Sequence, residues 1–119
     1  MELLKDAAAV VGGAAEKLRK ANLFETSRFF LDVYVLGPGQ SQAPHAHAHS
    51  DKIYAVLSGE GIVRVGAASF SVRPGHAVLC PGGSDHGVEN AGPEDLRLMV
   101  FMAPHPKPPT GMASTVPAP

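Results

Sequence analysis

The stretch Gly39-Gln-Ser-Gln-Ala-Pro-His45-Ala-His47-Ala-His49-Ser-Asp51-Lys52-Ile-Tyr54-Ala-Val-Leu-Ser-Gly59 sets three imidazoles at alternate positions and then runs into an apolar segment. In an extended strand, side chains two apart leave the same face. His45, His47 and His49 would therefore line up, with only the small Ala46 and Ala48 between them. Imidazole nitrogen suits zinc, copper, iron and nickel, and ligands two apart on a rigid strand can turn to one ion. A further histidine has to arrive from elsewhere in the chain. His86 is the candidate, standing after the turn-forming Pro81-Gly82-Gly83-Ser84-Asp85, where a strand resumes.

Working outward, the chain reads as short strands divided by turn residues. The run Phe-Phe-Leu-Asp-Val-Tyr-Val-Leu at 29–36 is aromatic and β-branched and stops at Gly37-Pro38-Gly39. Further strands are expected at 43–47, 52–57, 61–65, 69–72, 77–79, 87–89 and 96–102. The breaks between them leave no room for the helices of a parallel α/β sheet. The expected fold class is all-β, a closed or double sheet. At the N-terminus, residues 2–11 are helix-permissive and Gly12-Gly13 would stop a short helix there, ahead of a lead-in strand. The expected organisation is helix and lead-in strand over 1–25, a barrel over 26–106, and a disordered Pro-rich tail over 107–119.

Composition narrows the function. At 119 residues the chain has the size of one domain, and 45% hydrophobic residues suffice for a core. Ten Lys and Arg against eleven Asp and Glu leave a net charge of −1, which gathers neither phosphate backbone nor anionic lipid. Nucleic acid and membrane are therefore not expected partners. The apolar runs at 7–11 and 96–103 fall well short of the ~20 residues that span a bilayer. The one cysteine, Cys80, forms no internal disulfide, and Glu2, Lys5 and Asp6 do not make a secretory leader, so a cytoplasmic protein is expected.

Two patterns resemble those of the cupin superfamily. Residues 39–59 are similar to its first motif, G(X)5HXH(X)3,4E(X)6G, with Lys52 standing where the motif has glutamate. Gly75, Pro81, Gly83, His86 and Asn90 match the second, G(X)5PXG(X)2H(X)3N, at every position. The resemblance implies a small jelly-roll barrel, or double-stranded β-helix, with a divalent metal inside: iron, manganese, nickel, zinc or copper. It implies that His45, His47 and His86 are the metal ligands, a small molecule is the ligand or substrate, and a homodimer is the common assembly. Reactions on this scaffold are diverse, so the resemblance speaks for fold more than for chemistry.

Lys52 departs from the pattern. An ammonium repels a divalent ion unless it loses its proton or points away, so Lys52 is not read as a ligand. A solvated lysine is the commoner reading, and a proton carrier or anion holder the sharper one beside it. His49 and Asp51 are second-tier ligands. His49 has the parity of the other histidines, whereas Asp51 would need a bulge to reach them. Tyr54 shares parity with Lys52 and could orient a substrate, or simply pack in the core. Cys80 reads as a small buried hydrophobe, Asn90 and Gly83 as structural, and His76 and His105 as solvent residues. Three neutral ligands would leave an ion its full charge, the arrangement of dioxygenase-like cupins that use ferrous iron. The readings are an enzyme of that type, a non-catalytic binding or sensing protein, or a metal-assisted isomerase or lyase.

Overall fold

The computed structural model describes residues 2–12 and 16–108, so the expected tail lies outside the described residues beyond 108. The apolar alternation of the sequence becomes nine strands among them: β1 (Arg19–Glu25), β2 (Phe30–Leu36), β3 (Ser41–His45), β4 (Asp51–Ser58), β5 (Gly61–Val65), β6 (Ala68–Val72), β7 (Ala77–Cys80), β8 (His86–Glu89) and β9 (Leu96–Ala103). They form two antiparallel sheets, a five-stranded one in the order β1-β2-β9-β4-β7 and a four-stranded one in the order β3-β8-β5-β6.

The inner faces of both sheets supply one core. Tyr34 and Leu36 of β2, Tyr54 and Val56 of β4, Val63 of β5, Cys80 of β7, Val88 of β8 and Leu96, Leu98 and Val100 of β9 pack there. In β4 the even positions 52, 54 and 56 are the buried ones, as a period of two requires. In β2 both faces are covered, because Val33 and Val35 pack outward with Leu23, Val10 and Ala7 in a second cluster.

That second cluster explains a correction at the N-terminus. Where a short helix over 2–11 is expected, the chain makes a single 3-10 turn at Ala7–Ala9, with Asp6 accepting from the Ala8 N–H. Arg97 takes the carbonyls that a longer helix would use, donating to Val10 O at 3.1 Å and Ala7 O at 2.6 Å. The segment is thereby held along the outside of the sheet, and burial of Ala7 and Val10 outweighs local helix preference.

The end of the barrel at Asn90 is closed by satisfied polar groups. Asn90 Nδ2 donates to Leu36 O and Glu94 O at 2.8 and 2.7 Å, and its Oδ1 accepts from Gly92 N–H at 2.9 Å. At the opposite end of β8, Gly87 lets β3 approach closely, since a Cβ there would stand 2.6 Å from Gln42 O. Among the described residues no helix is long and apolar enough to cross a membrane.

Candidate metal centre

Antiparallel pairing of β3 with β8 sets His45 directly opposite His86, which is how imidazoles far apart in sequence meet. Their ring centroids lie 4.4 Å apart, and His47 closes the group at 5.1 Å from His45 and 6.0 Å from His86. One nitrogen from each of the three lies within 4.8 Å of the others. The strand ends earlier than the expected 43–47: β3 stops at His45, and His47 stands just past it, held by Gly83 N–H donating to its carbonyl at 2.9 Å. His49 lies farther round the turn, exposed and outside the cluster.

Two of the rings are oriented by backbone carbonyls. His45 Nδ1 faces Ala43 O at 3.0 Å and His86 Nδ1 faces Ser84 O at 3.1 Å. A carbonyl only accepts, so the proton sits on Nδ1 in both and Nε2 carries the lone pair. His86 is 2% exposed, and its Nε2 is the buried side-chain polar atom, among the described residues, that has no hydrogen-bond partner. Burial pushes the His86 imidazolium down to about 4, opposed by the Ser84 bond and helped by the charges of Lys52, His45 and His47, so the ring is neutral near pH 7. His47 is lowered too, by burial first and then by the charges of His45, Lys52 and Lys20. Three imidazole nitrogens, one of them buried and unpartnered, are a donor set that fits a divalent transition metal.

Next to them lies a cavity of about 390 Å³ lined by His45, His47, Gln42, Tyr34, Lys52 and Asp32, with Lys20 and Met102 among the remaining residues. Lys52 is buried at 1% exposure, which corrects the solvated alternative. Its Nζ donates to Gln42 Oε1 at 3.3 Å, and Tyr54 Oη donates to the same oxygen at 2.6 Å. The ammonium also lies 4.9 Å from the Tyr54 ring centroid and 5.4 Å from that of Tyr34. Burial, with some help from Lys20, pushes Lys52 down to about 8. Burial likewise raises the Tyr34 hydroxyl to about 12, opposed by a hydrogen bond from Gln42.

Other expected residues sit elsewhere. Asp51 faces the turn after β7 and accepts from Gly82 N–H at 2.8 Å. Tyr54 is fully buried and does not line the cavity; its hydroxyl positions Gln42. His105 is no solvent residue, since its Nε2 meets Glu25 Oε2 at 2.6 Å with the side chain 7% exposed. Gln42 and Tyr34 were not anticipated. Tyr34 had a signal, sharing parity with Asp32 on a strand whose inner face enters the cavity. Gln42 had none, because a register shift between Gln42 and His45, around Pro44, brings two residues of opposite parity to one lining.

A sequence profile described as "Cupin domain" matches residues 32–102. The crystal structure of TT1209 from Thermus thermophilus superposes with a TM-score of 0.82 at 40% identity, covering 85% of this chain and 96% of that one. Tetracenomycin polyketide synthase protein TcmJ of Streptomyces glaucescens is 29% identical over 91% of this chain and 73% of its own length. An oxalate-binding protein of Thermotoga maritima is 29% identical over 74% of this chain and 72% of its own.

Proposed function

The chain belongs to the cupin family, and from that premise we propose that it is a metal-dependent protein acting on a small oxygen-bearing molecule, of dioxygenase-like type, with His45, His47 and His86 holding one divalent ion. The observation that carries this reading is the buried His86 Nε2 with no protein partner, aimed into a group whose other members also offer nitrogen. Leaving such an atom unpaired costs about 1–3 kcal/mol, a cost that a ligand would remove. An ion held by neutral nitrogens keeps its full charge and supplies Lewis-acid polarisation or, as ferrous iron, electrons for oxygen chemistry.

The chain's own residues do the rest. Ala43 and Ser84 carbonyls fix the tautomers and aim two Nε2 atoms. Tyr54 fixes Gln42, and Gln42 fixes Lys52 at the cavity wall. With its pKa near 8, Lys52 Nζ holds a proton at neutral pH and can yield one within the range that acid–base work needs. The lone, buried Cys80 supports a reducing, cytoplasmic setting.

A second reading, binding without turnover, is favoured by the likeness to an oxalate-binding protein. Elemental analysis of protein purified without chelators is the first test, with about one divalent ion per chain expected. Metal-free protein that takes up none on titration would overturn the reading. Oxygen consumption by ferrous-loaded protein with small chelating carbonyl and carboxylate compounds then separates turnover from binding.

A further inference from the structure

A cation in a protein interior normally has a carboxylate beside it, because an unpaired buried charge is costly. Lys52 has none: among the described residues, no carboxylate lies within 4.0 Å of its Nζ. Asp32, on the same cavity wall, acts on Lys52 only through its field, and Asn22 Nδ2 holds it at 2.8 Å. In contact with the ammonium are one neutral carbonyl oxygen and two aromatic faces, while Lys20, Cys80 and Asp32 act on it through their fields. A second cation, Lys20, stands on the same cavity, its Nζ 5.2 Å from the Tyr34 ring centroid.

The Gln42 amide shows which way the hydrogen bonds run. Tyr54 O–H and Lys52 N–H both donate to Oε1, so Nε2 is left to donate, and Tyr34 receives it. The Tyr34 oxygen is thus an acceptor for Gln42 and its own O–H is left to donate, on a ring whose centroid lies 5.4 Å from Lys52 Nζ. Where Lys52, Lys20 and Tyr34 line it, the cavity offers donors and positive charge, with the Asp32 carboxylate held by Asn22, while His45 and His47 offer lone pairs for an ion.

We propose that this part of the cavity is an anion subsite, in which Lys52 Nζ and the Tyr34 hydroxyl hold a carboxylate or enolate oxygen of the ligand. The subsite shares its cavity with the metal reading of the preceding section and extends it by naming the ligand's charge. It is a property of β2 and β4, so it persists in the metal-free protein. The ligand class is a small organic acid, or a carbonyl compound in its enolate form, with the anionic oxygen toward Lys52 and its other oxygens toward the imidazoles.

The test is isothermal titration calorimetry on metal-free protein near neutral pH, with propionate, its neutral isostere propionamide, and inorganic phosphate as probes. Propionate is expected to bind at least ~10-fold more tightly than propionamide, and Lys52→Met to weaken it ~10-fold or more, the worth of a hydrogen bond to a charged group. The contrast between the acid and the amide needs no variant, so it stands even if Lys52→Met does not fold. No propionate binding, equal binding of propionamide, or equal binding by Lys52→Met would overturn the subsite. So would a loss seen in Lys20→Met but not in Lys52→Met. Phosphate bound more tightly than propionate would overturn the carboxylate assignment. His86→Ala protein, which is expected to lack metal, should still bind propionate. Failure of the metal reading therefore leaves this one standing, and the reverse holds if metal is present but propionate is not bound.

Discussion

His86 opens β8 and Asn90 follows its last residue, and both are 2% exposed, yet they are buried on opposite terms. All the hydrogen-bonding groups of Asn90's amide that the barrel end can use are engaged, by Leu36, Glu94 and Gly92. His86 spends one nitrogen on Ser84 and leaves the other with no partner. Both residues fall at motif positions, where the sequence already sets them apart, His86 as a ligand and Asn90 as structural. The structure shows the physical ground: a buried polar group that closes its own bonds serves the fold, and one left open in a cluster of like atoms points to a ligand.

Breaking each member of the pair should give opposite losses. His86→Ala is expected to take bound metal from about one equivalent per chain to none by elemental analysis, while the thermal melt of the metal-free protein changes little. His105→Ala, in which the lost contact is with Glu25, should keep its metal; equal loss in both variants would mean surface chelation. Asn90→Ala should do the reverse. It strands two backbone carbonyls and one N–H, for a destabilisation of about 3 kcal/mol in urea unfolding, with metal stoichiometry retained. Metal loss in Asn90→Ala without unfolding would erase the distinction.

The same contrast explains what sequence could and could not disclose. The strands, the two-sheet architecture and the convergence of His45, His47 and His86 were legible, because alternation and turn residues are local and the motif spacing places the β8 turn. What was not legible depends on neighbours. The N-terminal helix is lost to Arg97, a residue of β9 that captures two carbonyls of the segment. His49 has the right parity, but β3 ends before parity can apply to it. Gln42 reaches the cavity through a register shift that no period of two can express. Lys52 was recognisable as an anomaly, but its burial against Tyr34, Tyr54 and Gln42 joins three strands and only the fold reveals it.

Lys52 is a third kind of buried polar group, held but not neutralised, and its cost has a sign that pH can read. Its folded pKa is pushed down from 10.5 to about 8, so the protonated form is disfavoured by folding. That penalty is present in full below about pH 8 and fades as pH rises toward 10.5, where the unfolded chain also loses its proton. Cys80 works in the opposite direction, since burial raises its thiol from 9.0 to about 11 and its contribution is lost as pH climbs through that range. The two groups act on each other, so the difference between wild type and Lys52→Met reads Lys52 together with its coupling to Cys80, and cancels only the burial of the thiol. Lys52→Met is expected to be more stable by about 2 kcal/mol near pH 7, and the gap to narrow above pH 8. A gap that is absent, or that does not change with pH, would mean that Gln42 and the two rings already compensate the charge.

The smallest expected effect is also the one that ties Lys52 to the histidines. Lys52→Glu exchanges a positive for a negative charge on the wall shared with His45 and His47, and Lys52 already acts on His47 and His86 through its field. Metal affinity should therefore rise, by roughly tenfold in a chelator competition, which corresponds to about 1.4 kcal/mol. The same substitution turns the proposed anion subsite into a repulsive one, so propionate binding to the metal-free protein should vanish. Opposite signs from a single change are hard to obtain by general loosening of the fold, which would weaken both ligands together. Unaltered metal affinity with lost propionate would place the charge of residue 52 too far from the imidazoles to matter to an ion. Weakening of both would mean that the lysine's packing against Tyr34 and Tyr54, and not its charge, is what the cavity depends on.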